Sequence, residues 1–149
     1  MSLPTEADFA IIKRGDGATP TEAFTVLCGI SNVTIGRSAQ SSDRYVRDCA
    51  KPGEVPVRRQ RITGKSLEVS GSGLTNVDQI EDFEEALGRR YNYLVELYED
   101  DNTDAGNLLG TIAYASKMTT ANMAINRDGD ATADVTLPND GPWTYTPAP

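Results

Sequence analysis

Apolar and polar residues alternate with a period of two along several stretches of the chain, the pattern of strands with one dry and one wet face. Residues 9–13 and 23–28 are β-favouring runs separated by Gly15-Asp16-Gly17 and Pro20, which predicts an opening hairpin. Residues 31–36 place Val33 and Ile35 on one face against Asn32 and Thr34 on the other. Over residues 65–71, Leu67 and Val69 alternate with Ser66, Glu68 and Ser70, and Gly71-Ser72-Gly73 reads as a flexible turn that ends the strand. The aromatic and β-branched stretch 91–98 is the strongest strand, with Tyr91, Tyr93, Val95 and Leu97 on one side and Asn92, Glu96 and Tyr98 on the other. Residues 108–115 form the next. Residues 118–126 and 131–137 predict a hairpin through a two-residue type I′ turn at Asp128-Gly129, with Ala133, Val135 and Leu137 inward and Thr132, Asp134 and Thr136 outward.

Three segments break the alternation. Residues 77–87 carry Val77, Ile80, Phe83 and Leu87 at helical spacing opposite Glu81, Asp82, Glu84 and Glu85, so a helix is expected with an acidic outer side. Thr75 or Asn76 suits its N-cap, and Gly88 followed by Arg89 and Arg90 suits its C-terminal end. Residues 37–56 are polar and irregular, with Pro52-Gly53 and Pro56, and predict a long loop; residues 57–63 continue it as an extended arm whose Arg58, Arg59 and Arg61 leave no apolar side. The Pro-rich end, 138–149, with Pro142, Trp143, Tyr145 and Pro147, favours an extended docked tail over a strand. About eight strands and one helix result: a mainly β domain over residues 1–137, with a C-terminal tail over 138–149.

A chain of 149 residues with 38% hydrophobic and 24% charged side chains is long enough for one core. It contains no histidine, which removes the commonest general base and metal ligand and every Ser-His or Cys-His pair, so catalysis is not expected. Neither a metal nor a cofactor is expected; Asp100, Asp101, Asn102 and Asp104 offer oxygen ligands but lack the spacing of a calcium loop. Cys28 and Cys49 form no CxxC pair and leave two readings open, two buried or half-buried thiols or a mutual disulfide. No apolar run reaches membrane-spanning length, and the first eight residues lack the basic and apolar regions of a secretion signal. The net charge of −8 argues against a grip on nucleic acid.

That charge is sorted along the chain. Residues 37–65 hold eight basic side chains (Arg37, Arg44, Arg47, Lys51, Arg58, Arg59, Arg61 and Lys65) and three acidic ones, a local charge of +5. Residues 78–104 hold ten acidic and two basic side chains, a local charge of −8. Opposite blocks on one small domain suit head-to-tail association, so the basic arm is expected to reach onto the acidic helix (Glu81, Glu84, Glu85) or loop of an adjacent copy.

Three segments taken together, FTVLCGISNVTI (24–35), RYVRDCAKPGEVPVRRQRITGKSLEVSGSGL (44–74) and NVDQIEDFEEALG (76–88), resemble the major tail tube proteins of long-tailed, siphovirus-like phages and of phage-like gene transfer particles. The likeness spans roughly residues 9–137 and is carried best by Cys28-Gly29, Asp48-Cys49 and the K-S-x-x-x-S-G-S-G-L stretch from Lys65 to Leu74. The resemblance implies a β-sandwich or barrel with one flanking helix and a long inter-subunit loop. It implies hexameric rings stacked into a hollow tube for DNA in transit, without specific binding, in a virion tail assembled in the host bacterial cytoplasm. Tape measure, tail terminator and distal tail proteins are the implied partners. An acidic lumen would let a polyanion slide, which makes Glu68, Glu96 and Asp134, on the polar sides of their strands, the lumen-facing candidates.

Related roles share this order of elements: a tail terminator, a head-tail connector or the tube of a contractile secretion machine. A carbohydrate- or receptor-binding β-sandwich would instead use Trp143, Tyr145 and Tyr98 as a stacking platform.

Overall fold

Strands with one apolar face must bury it against another layer, and this chain folds into two antiparallel sheets that do so for each other. The computed structural model describes residues 3–18, 21–75 and 77–149. The elements are β1 (Phe9–Gly15), β2 (Phe24–Val26), β3 (Ile30–Val46), β4 (Val57–Leu74), α1 (Ile80–Ala86), β5 (Arg90–Glu99), β6 (Asn107–Lys117), β7 (Thr120–Ala124) and β8 (Thr132–Pro147), with a 3₁₀ turn at Val77–Gln79 leading into α1. The first sheet runs β2-β1-β5-β6 and ends on the second half of β8. The second runs β3-β4, then the first half of β8, then β7.

β8 is therefore the hinge between layers. Across the step where β6 moves from Tyr114 to Ser116, β8 moves from Trp143 to Asn139, so two extra residues are accommodated at the corner. Gly141 there has φ 126°, a conformation that side chains with a Cβ rarely adopt.

Ile12, Tyr93, Val95, Ile112 and Tyr114 meet Leu67, Val69, Val135 and Leu137 between the sheets, and α1 closes one end by inserting Phe83 and Ala86. Each large side chain fully removed from water stabilises the fold by roughly 2 kcal/mol before entropy is counted. Of the inward residues expected from alternation on β4, β5 and β8, Leu67, Val69, Tyr93, Val95, Ala133, Val135 and Leu137 are buried, while Tyr91 and Leu97 are half-buried against the core. The opening hairpin also forms, Lys13 pairing with Val26 and Gly15 with Phe24; Pro20, expected to punctuate it, lies outside the described residues.

Five expectations need correction. Residues 37–56 are not one long loop: β3 continues to Val46 and β4 starts at Val57, leaving residues 47–56 as the loop and turning the arm into half of a hairpin. Gly71-Ser72-Gly73 is not a flexible turn but the end of β4, in register with Val135, Asp134 and Ala133. Glycine is required at position 73 because the chain turning into β3 passes directly over it, Leu74 N–H donating to the Gly29 carbonyl at 2.9 Å, and a Cβ on Gly73 would overlap that carbonyl.

The helix is shorter than 77–87. Its first turn is wound as 3₁₀, which shifts the phase, so that Gln79, Phe83 and Ala86 are buried while Val77 and Leu87 are 75% and 46% exposed. Its N-cap is Gln79, without a side-chain cap bond; Thr75 is spent on β8, donating to the Thr132 carbonyl, and Asn76 lies outside the described residues. The last hairpin pairs Ala124 with Thr132, so its loop has seven residues, and Gly129 lacks the positive φ of a type I′ turn. Finally, the C-terminal tail is the second half of β8, hydrogen-bonded along β6 from Gly110 to Ser116. An edge strand tolerates proline because one side of its backbone has no partner to lose, and Pro142 falls at the bulge.

Candidate assembly surfaces

β4 pairs with β8 only from Glu68 to Leu74. Beyond the Arg37–Leu67 pair, β3 and β4 have only each other, out to Val46 and Val57, and form a two-stranded ribbon that extends roughly 30 Å before the 47–56 tip. A pair of strands without a third layer is marginal in water. This one is bare on both sides, with Tyr45 73%, Val55 81%, Val57 65% and Ile62 53% exposed.

Alternation gives the ribbon two unlike faces. Ser41, Asp43 and Tyr45 share one with Arg58, Gln60 and Ile62. There Arg58 lies 3.9 Å from Asp43, and the Gln60 amide donates to Ser41 Oγ at 2.9 Å. Ser42, Arg44 and Val46 share the other with Val57, Arg59 and Arg61. Arg44 sits directly across from Arg59, a like-charge pair that opposes ribbon formation, and none of these three arginines has an ion-pair partner among the described residues. Of the remaining basic candidates, Arg37 is exposed at the base, Arg47 ties the tip by donating to the Pro52 carbonyl at 3.1 Å, and Lys51 is exposed at the tip.

Cys49 is at this tip and Cys28 at the turn before β3; both are free and exposed, which corrects both readings of the pair. The length of β3 separates them by roughly 50 Å, against the roughly 6 Å between Cα atoms that a disulfide needs.

The acidic flank is α1. Glu85 accepts a hydrogen bond from the Tyr91 hydroxyl at 3.3 Å, and Asp82 is held by Arg14, which donates to its carbonyl at 2.9 Å. Glu81 and Glu84 are exposed with no ion-pair partner among the described residues, and exposed Val77 and Leu87 flank them. The acidic loop after β5 is different. Two of its carboxylates serve its own backbone, Asp100 accepting from Asn102 N–H at 3.0 Å and Asp101 from Thr103 N–H at 3.0 Å; the Thr103 hydroxyl and amide hold the Asp101 carboxyl below its usual range.

The three lumen candidates do not share a surface. Glu68 and Asp134 lie on the outer face of the second sheet, in a polar field with Ser70, Ser72 and Thr136. Glu96 lies on the outer face of the first sheet and is only 9% exposed. Lys13 Nζ reaches it at 3.0 Å and the Tyr98 hydroxyl donates to it, a bond that pushes the Tyr98 phenol up to about 12. Glu96 thus corrects the expectation of an open acidic residue: its charge is spent inside the subunit.

Among the described residues the second sheet has two edges without a hydrogen-bonded neighbour strand, β3 and β7. Its strands alternate in direction through four positions, so β7 of one copy beside β3 of the next would again be antiparallel. The aromatic residues make no common platform. Tyr98 stacks on Phe9 with ring centres 5.2 Å apart, Trp143 is half-buried against the core, and Tyr145 lies over Gly110. No described helix is long and apolar enough to cross a membrane.

This architecture, a two-sheet antiparallel body with a short helix at one end and a projecting ribbon, is the tail-tube fold. A chain of the virion of a native gene transfer agent particle superposes with TM-score 0.64 and 15% identity, covering 96% of this chain and 99% of that one. The SPP1 tail tube gives 0.59 at 9% identity over 97% and 80%. The sheath-tube complex of PVC, an extracellular contractile injection system, gives 0.64 at 14% over 99% and 95%. No family model matches the chain, and no curated protein matches it in sequence.

The ribbon is what sequence reading missed. Its signal is weak but present: residues 37–46 and 57–63 are two mostly polar runs free of proline and glycine, while Pro52, Gly53 and Pro56 fall in the segment between.

Proposed function

We propose that this chain is a structural subunit that closes into hexameric rings and stacks them into the hollow tail tube of a phage or phage-like particle, through which DNA passes. The ribbon carries the reading: an element bare on both faces, with unpaired arginines and exposed valines, has its stabilising partner outside its own chain. The free β3 and β7 edges support ring closure, since a heterologous edge-to-edge contact repeated by rotation leaves no unpaired strand in the second sheet. Six copies accord with the C6 symmetry of one structure with this fold, the tail of an empty gene transfer agent particle.

Closing the second sheet into a ring would turn its outer face into a common wall. Where β4 pairs with β8 that wall is polar and carries Glu68 and Asp134, so a polyanion meets repulsion there. The subunit catalyses nothing in this reading. It is assembled in a bacterial cytoplasm, with a terminator, a tape measure and distal tail proteins bounding the tube. Electron microscopy of the purified protein at high concentration should show long hollow tubes. Single closed rings would make it a terminator, and a monodisperse monomer at every concentration and salt would end the proposal.

A further inference from the structure

We propose that the ribbon docks through one face only, the Arg44, Arg59, Arg61, Val46 and Val57 face, and that it seats on the Val77, Glu81, Glu84, Leu87 strip beside α1 of a second copy of this chain. The inference rests on the tube reading and adds which surfaces meet.

The two strips match in kind. Each pairs uncompensated charge with exposed apolar side chains: three arginines with Val46 and Val57, two carboxylates with Val77 and Leu87. They also match in spacing. Arg59 and Arg61 are two residues apart on one strand face, about 7 Å. Glu81 and Glu84 are three apart on a helix, about 5 to 6 Å between Cβ atoms. Within the chain none of the five meets an opposite charge among the described residues.

Competing surfaces fit less well. The opposite ribbon face has already compensated Arg58 with Asp43. In the loop after β5, Asp100 and Asp101 are committed to the loop's own amides, and no exposed valine or leucine flanks them. Glu68 and Asp134 stand among serines and threonines, with no apolar flank for the valines. Docking on α1 would also relieve the Arg44–Arg59 repulsion, so the ribbon would be more ordered bound than free.

Charge reversal tests this with the full chain. R59E/R61E and E81R/E84R, both at exposed positions, should each lose tubes, raising the polymerisation threshold at least about tenfold. Combining all four substitutions should restore tubes, while R58E on the other ribbon face should polymerise like the parent. Circular dichroism and melting check that each monomer is folded, and E81Q/E84Q, with smaller perturbation, should raise the threshold less. If R59E/R61E assembles normally, or if the fourfold swap fails to recover what the single reversals lose, the face or its partner is wrong even though the parent forms tubes. Absence of tubes from the parent protein would instead remove the tube reading and this inference with it.

Discussion

Tyr93 and Tyr114 are neighbours in the core, with ring centres 6.5 Å apart, and burial pushes both phenols up, Tyr93 to about 12. Their hydroxyls differ. Tyr114 donates to the Leu137 carbonyl at 3.0 Å, tying β6 to β8, whereas the Tyr93 hydroxyl has no partner among the described residues. A buried hydroxyl without a partner costs desolvation and returns nothing, so Tyr93→Phe should leave stability unchanged or raise it by up to about 1 kcal/mol, and Tyr114→Phe should lower it by about 1 kcal/mol. Urea midpoints of the two variants check this; a larger loss from Tyr93→Phe than from Tyr114→Phe would contradict the assigned bonds. Alternation along residues 91–98 is enough to place Tyr93 inside. It cannot say what its oxygen meets, because that depends on a strand far away in sequence. The same limit applies to Glu96: its outward side was legible, but the Lys13 side chain that closes over it comes from β1.

At the scale of elements, the ribbon should be separable from the body. Residues 40–64 can be replaced by Asn-Gly, joining Ala39 to Lys65, which already face each other across the ladder. Every core side chain remains, so the melting temperature should stay within about 3 °C of the parent. Assembly should be abolished, as sedimentation would report. A markedly lower melting temperature would mean that the ribbon stabilises its own subunit. Its independence from the core also explains why it was hidden in the sequence. Hydrophobic alternation reveals a strand only when one face is dry, and here both are wet: every side chain from Arg37 to Val46 is exposed. The second half of β8 was hidden for another reason, since Pro138, Pro142 and Pro147 argue against a strand until the corner and the edge position that accommodate them are known. The half-buried strands β1 and β5, residues 65–71 of β4 and the first half of β8 were legible because each presents one face to the core.

For the whole molecule, net charge and charge sorting pull in opposite directions. Copies carrying −8 each repel as wholes, over centre-to-centre distances of roughly 30 Å, while the basic ribbon and acidic helix would attract at contact, over roughly 4 Å. Salt acts on these two ranges at different concentrations. The screening length is about 30 Å at 0.01 M, about 10 Å at 0.1 M and about 3 Å at 1 M. Moderate salt therefore removes the mutual repulsion and largely spares the contact pairs, whereas high salt weakens both and leaves apolar and strand-edge contacts to hold the tube. The polymerisation threshold should pass through a minimum near about 0.1 M and rise towards 1 M. R59E/R61E removes the attractive contribution, so its threshold should only fall as salt rises. Pelleting across a salt series measures both curves. A parent threshold that fell continuously to the highest salt would show that the sorted charges contribute nothing to assembly, whatever the ribbon touches.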